Sequence, residues 1–338
     1  MPERPLHTDH LDGCSEAERA ALHALGARIG HELVAIRLQR EGRRVPAPRL
    51  SHRLIRAGLT LGGLRARGRR NVLDIQLRHN EVWLQGLPPA FDGFTLLQLS
   101  DPHLDMDEQF LQRLVERVRG LAFDACVLTG DFRFHGHGPF AAALDGLRSL
   151  RAHLGEQPFA VLGNHDTIRM VPGMEALGYR VLMNESTTLQ RGAQVIVLAG
   201  IDDAHRYRTH DLGQALAGVA PERTVVLLSH TPQPYRQAAD AGVHFMLSGH
   251  THGGQVCLPG GIPILTDTPA PRAVVRGAWQ HGVMAGYTSV GCGSSVVDVR
   301  LNCRPEVVLH RLRRRVGMGS GLAFCPQLLG GKRQDLTP

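Results

Sequence analysis

Short apolar runs alternate with stretches of helical spacing along most of the chain after residue 72. The runs are FTLLQLS, DACVLTG, FAVLGNHD, QVIVLAGIDD, TVVLLSH and HFMLSGH, and DEQFLQRLVERVRG is a helical stretch between two of them. Continuous apolar runs of this length are typical of strands that are buried on both faces. Their alternation with helices predicts a layered α/β fold.

Before these runs, the segment VLDIQLRHNEVWLQGLP alternates apolar and polar residues. Alternation with a period of two is typical of a half-buried strand, and the polar pair His79 and Asn80 interrupts it near the middle. The pattern predicts a hairpin that turns at this pair. We therefore expect the main domain to begin close to residue 71.

The first seventy residues follow a helical pattern. Apolar residues recur at helical spacing at Leu22, Leu25, Ile29, Leu33 and Ile36. Ser15 and Glu18 form a capping-box pattern in front of them, so we predict an amphipathic helix that ends before Gly42. A second, weaker and basic amphipathic helix is predicted in SHRLIRAGLTLGGLRARGRR, able to lie on a membrane or to pack on the domain.

These patterns divide the chain into three parts. We predict a helical, arginine-rich extension at 1–70, an α/β domain at 71–315 and a glycine-rich tail at 316–338. The chain has 338 residues, of which 43% are hydrophobic, and this is enough to bury a full core.

The extension carries much of the net charge of +7. Between Arg37 and Arg70 there are eleven arginines and one acidic residue, Glu41. A solvated basic face, an anionic membrane surface and nucleic acid are the three interpretations. Nucleic acid is the least favoured, because no aromatic side chain lies between Arg37 and Arg70 to stack on bases.

Targeting signals do not stand out in the sequence. No window approaches the roughly 18 uninterrupted apolar residues of a membrane helix, and the first thirty residues lack a secretory apolar region. We expect a cytoplasmic protein, with peripheral contact at the inner membrane face as the alternative. The six cysteines show no CxxC pair and indicate no disulfide framework or zinc knuckle. The oligomeric state is not readable.

Five of the predicted strands end in polar groups. These groups are Asp101 and His103, Asp131, Asn164 with His165 and Asp166, His230, and His250 with His252. Ligands of open α/β sheets bind beyond the carboxyl ends of the strands, so the groups should converge on one crevice. Carboxylates, an amide and imidazoles form a mixed set of donors that favours Mn²⁺, Fe²⁺ or Zn²⁺ over calcium.

Each strand end is a weak signal by itself. Gly-Asp is a common turn, and a lone histidine at the edge of a core is often only hydrogen-bonded. The stretch GHTHGG is more specific, because folding alone does not require two histidines between glycines. All five groups together, in this order and each closing an apolar strand, predict a metal site.

The order of these motifs resembles that of the calcineurin-like metallophosphoesterases, which is DxH, GD, GNH[DE], H and GHxH. The resemblance covers residues 94–255 and implies a four-layer α/β/β/α sandwich with two divalent metal ions. By this resemblance Asp101, His103 and His252 would bind the first ion. Asn164, His230 and His250 would bind the second, and Asp131 would bridge both.

The same resemblance implies a hydrolase. A hydroxide between the two metals would attack a phosphodiester or pyrophosphate bond, and His165 would stand beside the leaving group as the catalytic residue. Asp166 is a candidate for orienting that loop. No organic cofactor is indicated.

A narrower resemblance rests on GHTHGGQ together with GCGSS and NCRPEVVLHRL. It covers residues 72–312 and points to a bacterial branch of membrane-associated phosphodiesterases, some of which cleave UDP-2,3-diacylglucosamine in lipid metabolism. A lipid-linked phosphoester is therefore the leading substrate. The alternatives are a soluble phosphatase for a nucleotide, a phosphoprotein or nucleic acid, and a non-catalytic metal-stabilised binding module. Candidate phosphate contacts are Arg133, His135, His205 and Arg208.

Overall fold

The computed structural model describes residues 16–40, 57–60, 62–295 and 297–315. The helices of four or more residues with defined bounds are α1 (Glu16–Arg40), α2 (Leu64–Val72), α3 (Glu108–Val118), α4 (Ala141–Arg151), α5 (Val171–Ala176), α6 (Leu212–Ala215) and α7 (Tyr235–Asp240). Ser15 of the capping-box pattern, the linker at 41–56 and the tail at 316–338 lie outside the described residues.

The strands form two large sheets and a small ribbon. They are β1 (Gln76–Leu84), β2 (Thr95–Leu99), β3 (Ala125–Leu128), β4 (Phe159–Ala160), β5 (Arg180–Val181), β6 (Glu185–Arg191), β7 (Gln194–Gly200), β8 (Val225–Leu228), β9 (Phe245–Ser248), β10 (Cys257–Leu258), β11 (Ile262–Pro263), β12 (Gly277–His281), β13 (Met284–Thr288) and β14 (Glu306–Arg314). The first sheet has the order β1-β14-β2-β3-β4-β5 and the second has the order β12-β13-β9-β8-β7-β6. Within them β2, β3 and β4 run parallel, as do β8 and β9.

The core lies in three layers around these sheets. Leu96 of β2 and Val226 of β8 belong to a buried cluster between the two sheets. The next residue of β2, Leu97, points to the opposite face and packs with Phe110 of α3, as the alternation of side chains along a strand requires. Met246 of β9 packs on the outer face of the second sheet. The predicted α/β/β/α sandwich is confirmed.

The predicted hairpin at His79 and Asn80 is wrong. Residues Gln76–Leu84 form one continuous strand, which pairs in parallel with β14 at the far end of the sequence. The favoured two-residue hairpin turns need a positive φ at one or both central residues, for which Asn-Gly is a strong signal and His-Asn is not. The chain therefore stays extended, and a distant strand supplies the hydrogen bonds.

The helix predicted in the extension is confirmed as α1, but three of the five apolar residues that predicted it do not lie on the buried face. Ala27 and His31 are buried against the rest of the molecule, whereas Leu25, Ile29 and Leu33 are 53%, 51% and 62% exposed. Helical spacing identifies residues that share a face and does not identify the neighbour of that face.

The second basic helix is partly described, as α2, and it packs on the domain. The Asn71 side-chain amide donates to the Arg300 carbonyl oxygen at 2.7 Å, and the Gly68 carbonyl oxygen accepts from the Arg300 N–H at 3.0 Å. Leu59 lies in a small buried cluster with Val299. Among the described helices, none has the length and apolar character needed to cross a bilayer.

Candidate metal centre

The carboxyl ends of β2, β3, β4, β8 and β9 carry the predicted site residues to one crevice where the two sheets meet. The potential ligand atoms of Asp101, His103 and His252 lie within 4.8 Å of one another. Those of Asp131, His230 and His250 form a second such group. We call these the first and second ligand groups.

Asn164 lies beside the second group, and Asp131, a member of the second group, also approaches the first. The Asn164 Oδ1 atom is 2.9 Å from His230 Nε2, which places the amide beside the second group. Asp131 Oδ1 is 3.4 Å from His230 Nε2, and its Oδ2 is 3.9 Å from His103 Nε2 in the first group. The structure thus brings together all seven residues that the sequence nominated, with Asp131 between the two groups.

The backbone at these positions is unusual. Asp101, His103, Asp131, His250 and His252 all have positive φ, at 51°, 44°, 58°, 70° and 49°. Non-glycine residues rarely adopt this left-handed conformation, and it costs of order 1–3 kcal/mol each. It lets the chain reverse as it leaves a strand, so that residues two apart reach the same ligand group.

Gly249 allows a close approach between the strand ends of the two sheets. A Cβ atom there would overlap Ser100 Oγ and Asp101 Oδ2. Without it, the His250 N–H lies 3.0 Å from both carboxylate oxygens of Asp101 and donates to them. The glycine before the first histidine of the GHTH motif therefore lets a turn of one sheet hold a carboxylate of the other.

Backbone carbonyl groups orient the imidazoles. The Nδ1 atoms of His103 and His230 are 2.8 Å and 2.7 Å from the carbonyl oxygens of Arg133 and Thr129. A ring nitrogen that bonds to a carbonyl must carry the proton, so the Nε2 atom of the neutral ring faces the site as a lone pair. His250 is turned the other way, with Nε2 2.7 Å from the Asp267 carbonyl oxygen. The donor set fits a divalent cation in each group.

Burial keeps several of these rings in the form that binds metal. It lowers the pKa of His103 to about 4 and holds the pKa values of His250 and His252 well below their usual range. Buried imidazoles are then neutral at physiological pH, as a ligand must be.

Asp131 and His230 are a charge pair in the absence of a cation. Burial opposes ionisation of both groups, but the attraction between them outweighs it. The pKa of Asp131 is lowered well below its ordinary value, and that of His230 rises to about 10. Burial, with a contribution from the negative charge of Asp131, raises the pKa of Asp101 to about 6. A bound cation would take the place of the proton that stabilises this cluster of acids.

Asp166 connects two of the ligand-bearing turns. Its carboxylate accepts the N–H groups of Asp131 at 2.8 Å, Phe132 at 2.9 Å and Gly163 at 2.8 Å. Burial raises the pKa of Asp166 to about 6, so the group is still ionised at neutral pH and accepts these bonds as an anion. The carboxylate thus orients the loop at the end of β4, as the sequence suggested.

His165 stands at the solvent side of the site. Its side chain is 20% exposed, against 3% for Asp131. Its Nδ1 is 2.5 Å from the Phe134 carbonyl oxygen, and its Nε2 is 4.0 Å from Asp131 Oδ2. The Nε2 atom therefore faces the site beside the Asp131 carboxylate.

The candidate phosphate contacts have different surroundings. Arg133 is 3% exposed, and its guanidinium donates to the carbonyl oxygens of His165 and Gly138, so these bonds hold the His165 loop. His205 is half-buried, and its ring centroid is 4.3 Å from that of His250. His135 and Arg208 are exposed.

Arg300 is the residue that sequence reasoning missed. It is fully buried, and its Nη1 and Nη2 atoms lie 3.2 Å from the His252 carbonyl oxygen and 3.1 Å from His252 Nδ1. The nearby positive charge adds to burial in lowering the pKa of His252. No local motif marks Arg300, whose guanidinium donates to the carbonyl oxygens of Gly291 and Gly293 nearby in sequence and of the distant His252.

Residues 94–254 match the family described as calcineurin-like phosphoesterase. The chain is 28% identical over 253 residues to the uncharacterized metallophosphoesterase YkoQ of Bacillus subtilis, covering 72% of this chain and 92% of that protein. It is 30% identical over 240 residues to the uncharacterized metallophosphoesterase YkuE of the same organism, covering 67% and 82%.

A vertebrate relative extends the comparison. The chain is 32% identical over 245 residues to a transmembrane protein with metallophosphoesterase domain from Danio rerio, covering 67% of this chain and 55% of that protein.

Proposed function

We propose that this chain cleaves a phosphodiester or pyrophosphate bond with two divalent cations. The chain belongs to the calcineurin-like metallophosphoesterase family and is a metal-dependent phosphoester hydrolase. The observation that carries the proposal is the pair of ligand groups with Asp131 between them. The chemistry that two such cations supply is positive charge beside the phosphoryl oxygens and a lowered pKa for the attacking water.

The donor set suits this reaction. Asp101 and Asp131 are the carboxylates among the seven nominated ligands, and the other five are neutral imidazoles or an amide. Two carboxylate charges would only partly neutralise two divalent cations, so the loaded site would attract an anionic phosphoester. More carboxylates would weaken that attraction. Mn²⁺, Fe²⁺ and Zn²⁺ are the cations that match these donors.

In this proposal His165 is the catalytic acid. Its Nδ1 is held by the Phe134 carbonyl oxygen and its Nε2 faces the site from the solvent side, where a leaving group would depart. Protonation of a leaving oxygen by a placed imidazole is typically worth about 10²–10⁴ in rate. In the same proposal, Asp166 and Arg133 hold the His165 loop through hydrogen bonds and do not touch substrate.

Two variants separate the roles of the histidines. His165→Ala should retain both metals and lose about 10²–10⁴ in kcat, whereas His252→Ala should lose metal as well as turnover. The measurements are metal content by mass spectrometry and hydrolysis of bis-p-nitrophenyl phosphate after loading with Mn²⁺. Equal loss of metal in both variants would make His165 a ligand, as its place near His103 and Asp131 also permits.

The substrate that we propose is a UDP-linked lipid precursor reached at the cytoplasmic membrane face. The GHTHGGQ stretch, residues 249–255, is one support. The other is α1, whose exposed residues Leu25, Ile29 and Leu33 form an apolar stripe on the outside of the molecule. The arginine-rich segment that follows α1 in the sequence suits an anionic lipid surface.

Hydrolysis of UDP-2,3-diacylglucosamine by the Mn²⁺-loaded protein tests this substrate. Release of UMP is the expected result, with bis-p-nitrophenyl phosphate as the control on the same preparation. Cleavage of the control alone would leave the phosphodiesterase standing and remove the lipid precursor. Cleavage of neither, with both metals bound, would contradict the proposed reaction.

A further inference from the structure

The inner face of α1 places a buried histidine against a loop of the catalytic domain. His31 is fully buried, and its Nδ1 is 2.8 Å from Asp202 Oδ2. Its ring also packs on Tyr207, with 4.2 Å between the ring centroids. Asp202 and Tyr207 belong to the loop that follows β7, so a residue of the extension contacts a loop that borders the metal centre.

Two ion pairs flank this contact. Arg28 pairs with Glu175 at 2.5 Å, and Glu32 pairs with Arg169 at 2.6 Å. Both partners follow His165 closely in the sequence. The helix α1 therefore spans the loop after β7 and the segment after β4, which are two of the loops around the site.

Tyr207 links this contact to the metal centre through a hydrogen bond. Its hydroxyl donates to the Asp166 carbonyl oxygen at 2.9 Å. The carboxylate of the same Asp166 accepts the N–H groups of Asp131 and Gly163. The hydrogen bonds and ring contact thus run from His31 through Tyr207 to the residue that joins two ligand-bearing turns.

We propose that His31 is a positioning residue for phosphoester hydrolysis, acting through Asp202 and Tyr207 on the turn that carries Asn164, His165 and Asp166. This rests on the proposed function, in which that turn supplies a ligand and the leaving-group acid. The extension is then a component of the active-site scaffold and is needed for full turnover.

The chemistry of the contact supports a role beyond docking the helix. Burying a polar pair costs more than burying an apolar one of similar size, so an apolar side chain at position 31 would dock the helix at least as well. The helix also carries Leu25, Ile29 and Leu33, which remain exposed. The inner face instead has a hydrogen-bonding ring that fixes Asp202 in one direction and Tyr207 in another.

The loop after β7 has other anchors, and they define what His31 adds. The Thr209 hydroxyl also donates to Asp202 Oδ2 at 2.5 Å, and Asn184 Oδ1 accepts the Asp202 N–H at 2.9 Å. These bonds hold the loop backbone and the carboxylate. Among the described residues, His31 supplies the ring that packs beside Tyr207.

The test compares His31→Phe, His31→Asn and Tyr207→Phe in the full chain loaded with Mn²⁺. The phenyl ring keeps the packing on Tyr207 and removes the hydrogen bond to Asp202, whereas the amide of asparagine can restore a donor. We expect His31→Phe and Tyr207→Phe each to lower kcat on bis-p-nitrophenyl phosphate by about 10-fold, with KM and metal content unchanged. The asparagine variant should recover part of the loss.

The double variant tests the route. If His31 acts through Tyr207, the combined change should cost little more than either single change, because contacting residues in one network are not additive. Arg28→Met is the matched control, since it removes an exposed ion pair from the same helix and should keep kcat within about 2-fold. Full additivity, or wild-type kcat in His31→Phe, would overturn the proposal.

Hydrogen exchange keeps the proposal testable even if the chain does not cleave this diester. Faster exchange in peptides that span 130–133 and 163–166 is expected in His31→Phe and Tyr207→Phe, and not in Arg28→Met. Unchanged exchange there would overturn the positioning role by itself. A wild-type protein that binds metal without turnover would contradict the proposed function and leave the exchange result to decide the coupling.

Discussion

The turns of the metal centre and helix α1 relate sequence to structure in opposite ways. In the turns, each motif residue reaches the place that its neighbours in sequence imply, with five of them in left-handed conformation. In α1, three of the apolar residues that predicted the helix, Leu25, Ile29 and Leu33, are exposed, whereas Ala27 and His31 are buried. A local motif is readable where nearby backbone geometry determines the position of a side chain. The face of a helix is readable only when its neighbour is known.

The difference also concerns what each region requires chemically. The turns hold buried carboxylates and imidazoles that depend on one another, as the charge pair of Asp131 and His230 shows. The described contacts of α1 include the buried polar pair of His31 and Asp202 and two ion pairs that are partly exposed. Substitutions in the two regions should therefore differ in size and in kind.

The largest effect is expected for Asp131→Asn. An amide retains the size of the side chain and removes the negative charge between the two ligand groups, so metal affinity and turnover should both collapse. Loss of a residue that only orients a ligand costs about 10–100-fold, and we expect less than about 1% of wild-type kcat here. Metal content and hydrolysis of bis-p-nitrophenyl phosphate measure it.

Retention of two metals with only a few-fold lower turnover would show that Asp131 does not link the groups. His79→Gln is the control, because His79 is exposed on β1 and belongs to neither group.

Gly249→Ala should have the next largest effect. The new methyl group would overlap Ser100 and Asp101, so either the turn or the carboxylate must move. Overpacking of this kind costs about 1–3 kcal/mol in the free energy of unfolding. Thermal unfolding of the metal-free protein should show the loss, and Mn²⁺ affinity should fall with it.

Gly30→Ala is the matched change in α1, with the opposite sign. A Cβ atom at Gly30 meets no described atom within 4 Å, and alanine favours a helix over glycine by about 0.5–1 kcal/mol. A higher melting temperature is expected. Equal destabilisation by both substitutions would erase the contrast between the two regions.

The smallest effect on stability is expected for the triple variant Leu25→Gln, Ile29→Gln and Leu33→Gln. Exposed positions of this kind usually change stability by less than about 0.5 kcal/mol each. Binding to anionic vesicles at low salt should nevertheless be lost, since these residues form the apolar stripe.

Cosedimentation with phosphatidylglycerol vesicles measures the binding. Val283→Gln removes another exposed apolar side chain, outside α1, and should bind as the wild type does. Wild-type binding by the triple variant would remove the stripe from the proposed membrane contact.

Much of the fold followed from pattern alone. The apolar runs that end at Asp101, Asp131, Asn164, His230 and His250 are strands, and their order along the chain predicted a crevice at the strand ends. The hairpin at His79 was wrong, because alternation indicates a strand and does not identify its partner. The true partner, β14, lies more than two hundred residues away in sequence.

The site residues were nominated from sequence because their chemistry is local and unusual. Two carboxylates and several imidazoles at strand ends have few purposes other than binding a cation. Arg300 and His31 escaped notice because no motif surrounds them and because the partners that give them a role, His252 and Asp202, lie far away in sequence. Residue type alone does not distinguish a buried arginine or histidine from an exposed one.

The sequence by itself determined the α/β class, the positions of the buried strands and the set of residues that converge at their ends, because periodicity and turn chemistry act over a few residues. Only the tertiary structure decided that β1 pairs with β14, that Leu25 and Leu33 of α1 are exposed, and that His31 and Arg300 are buried. Those outcomes depend on which surfaces are left uncovered once the sheets have packed. The uncovered surface is a property of the whole folded chain, so no single segment of the sequence predicts it.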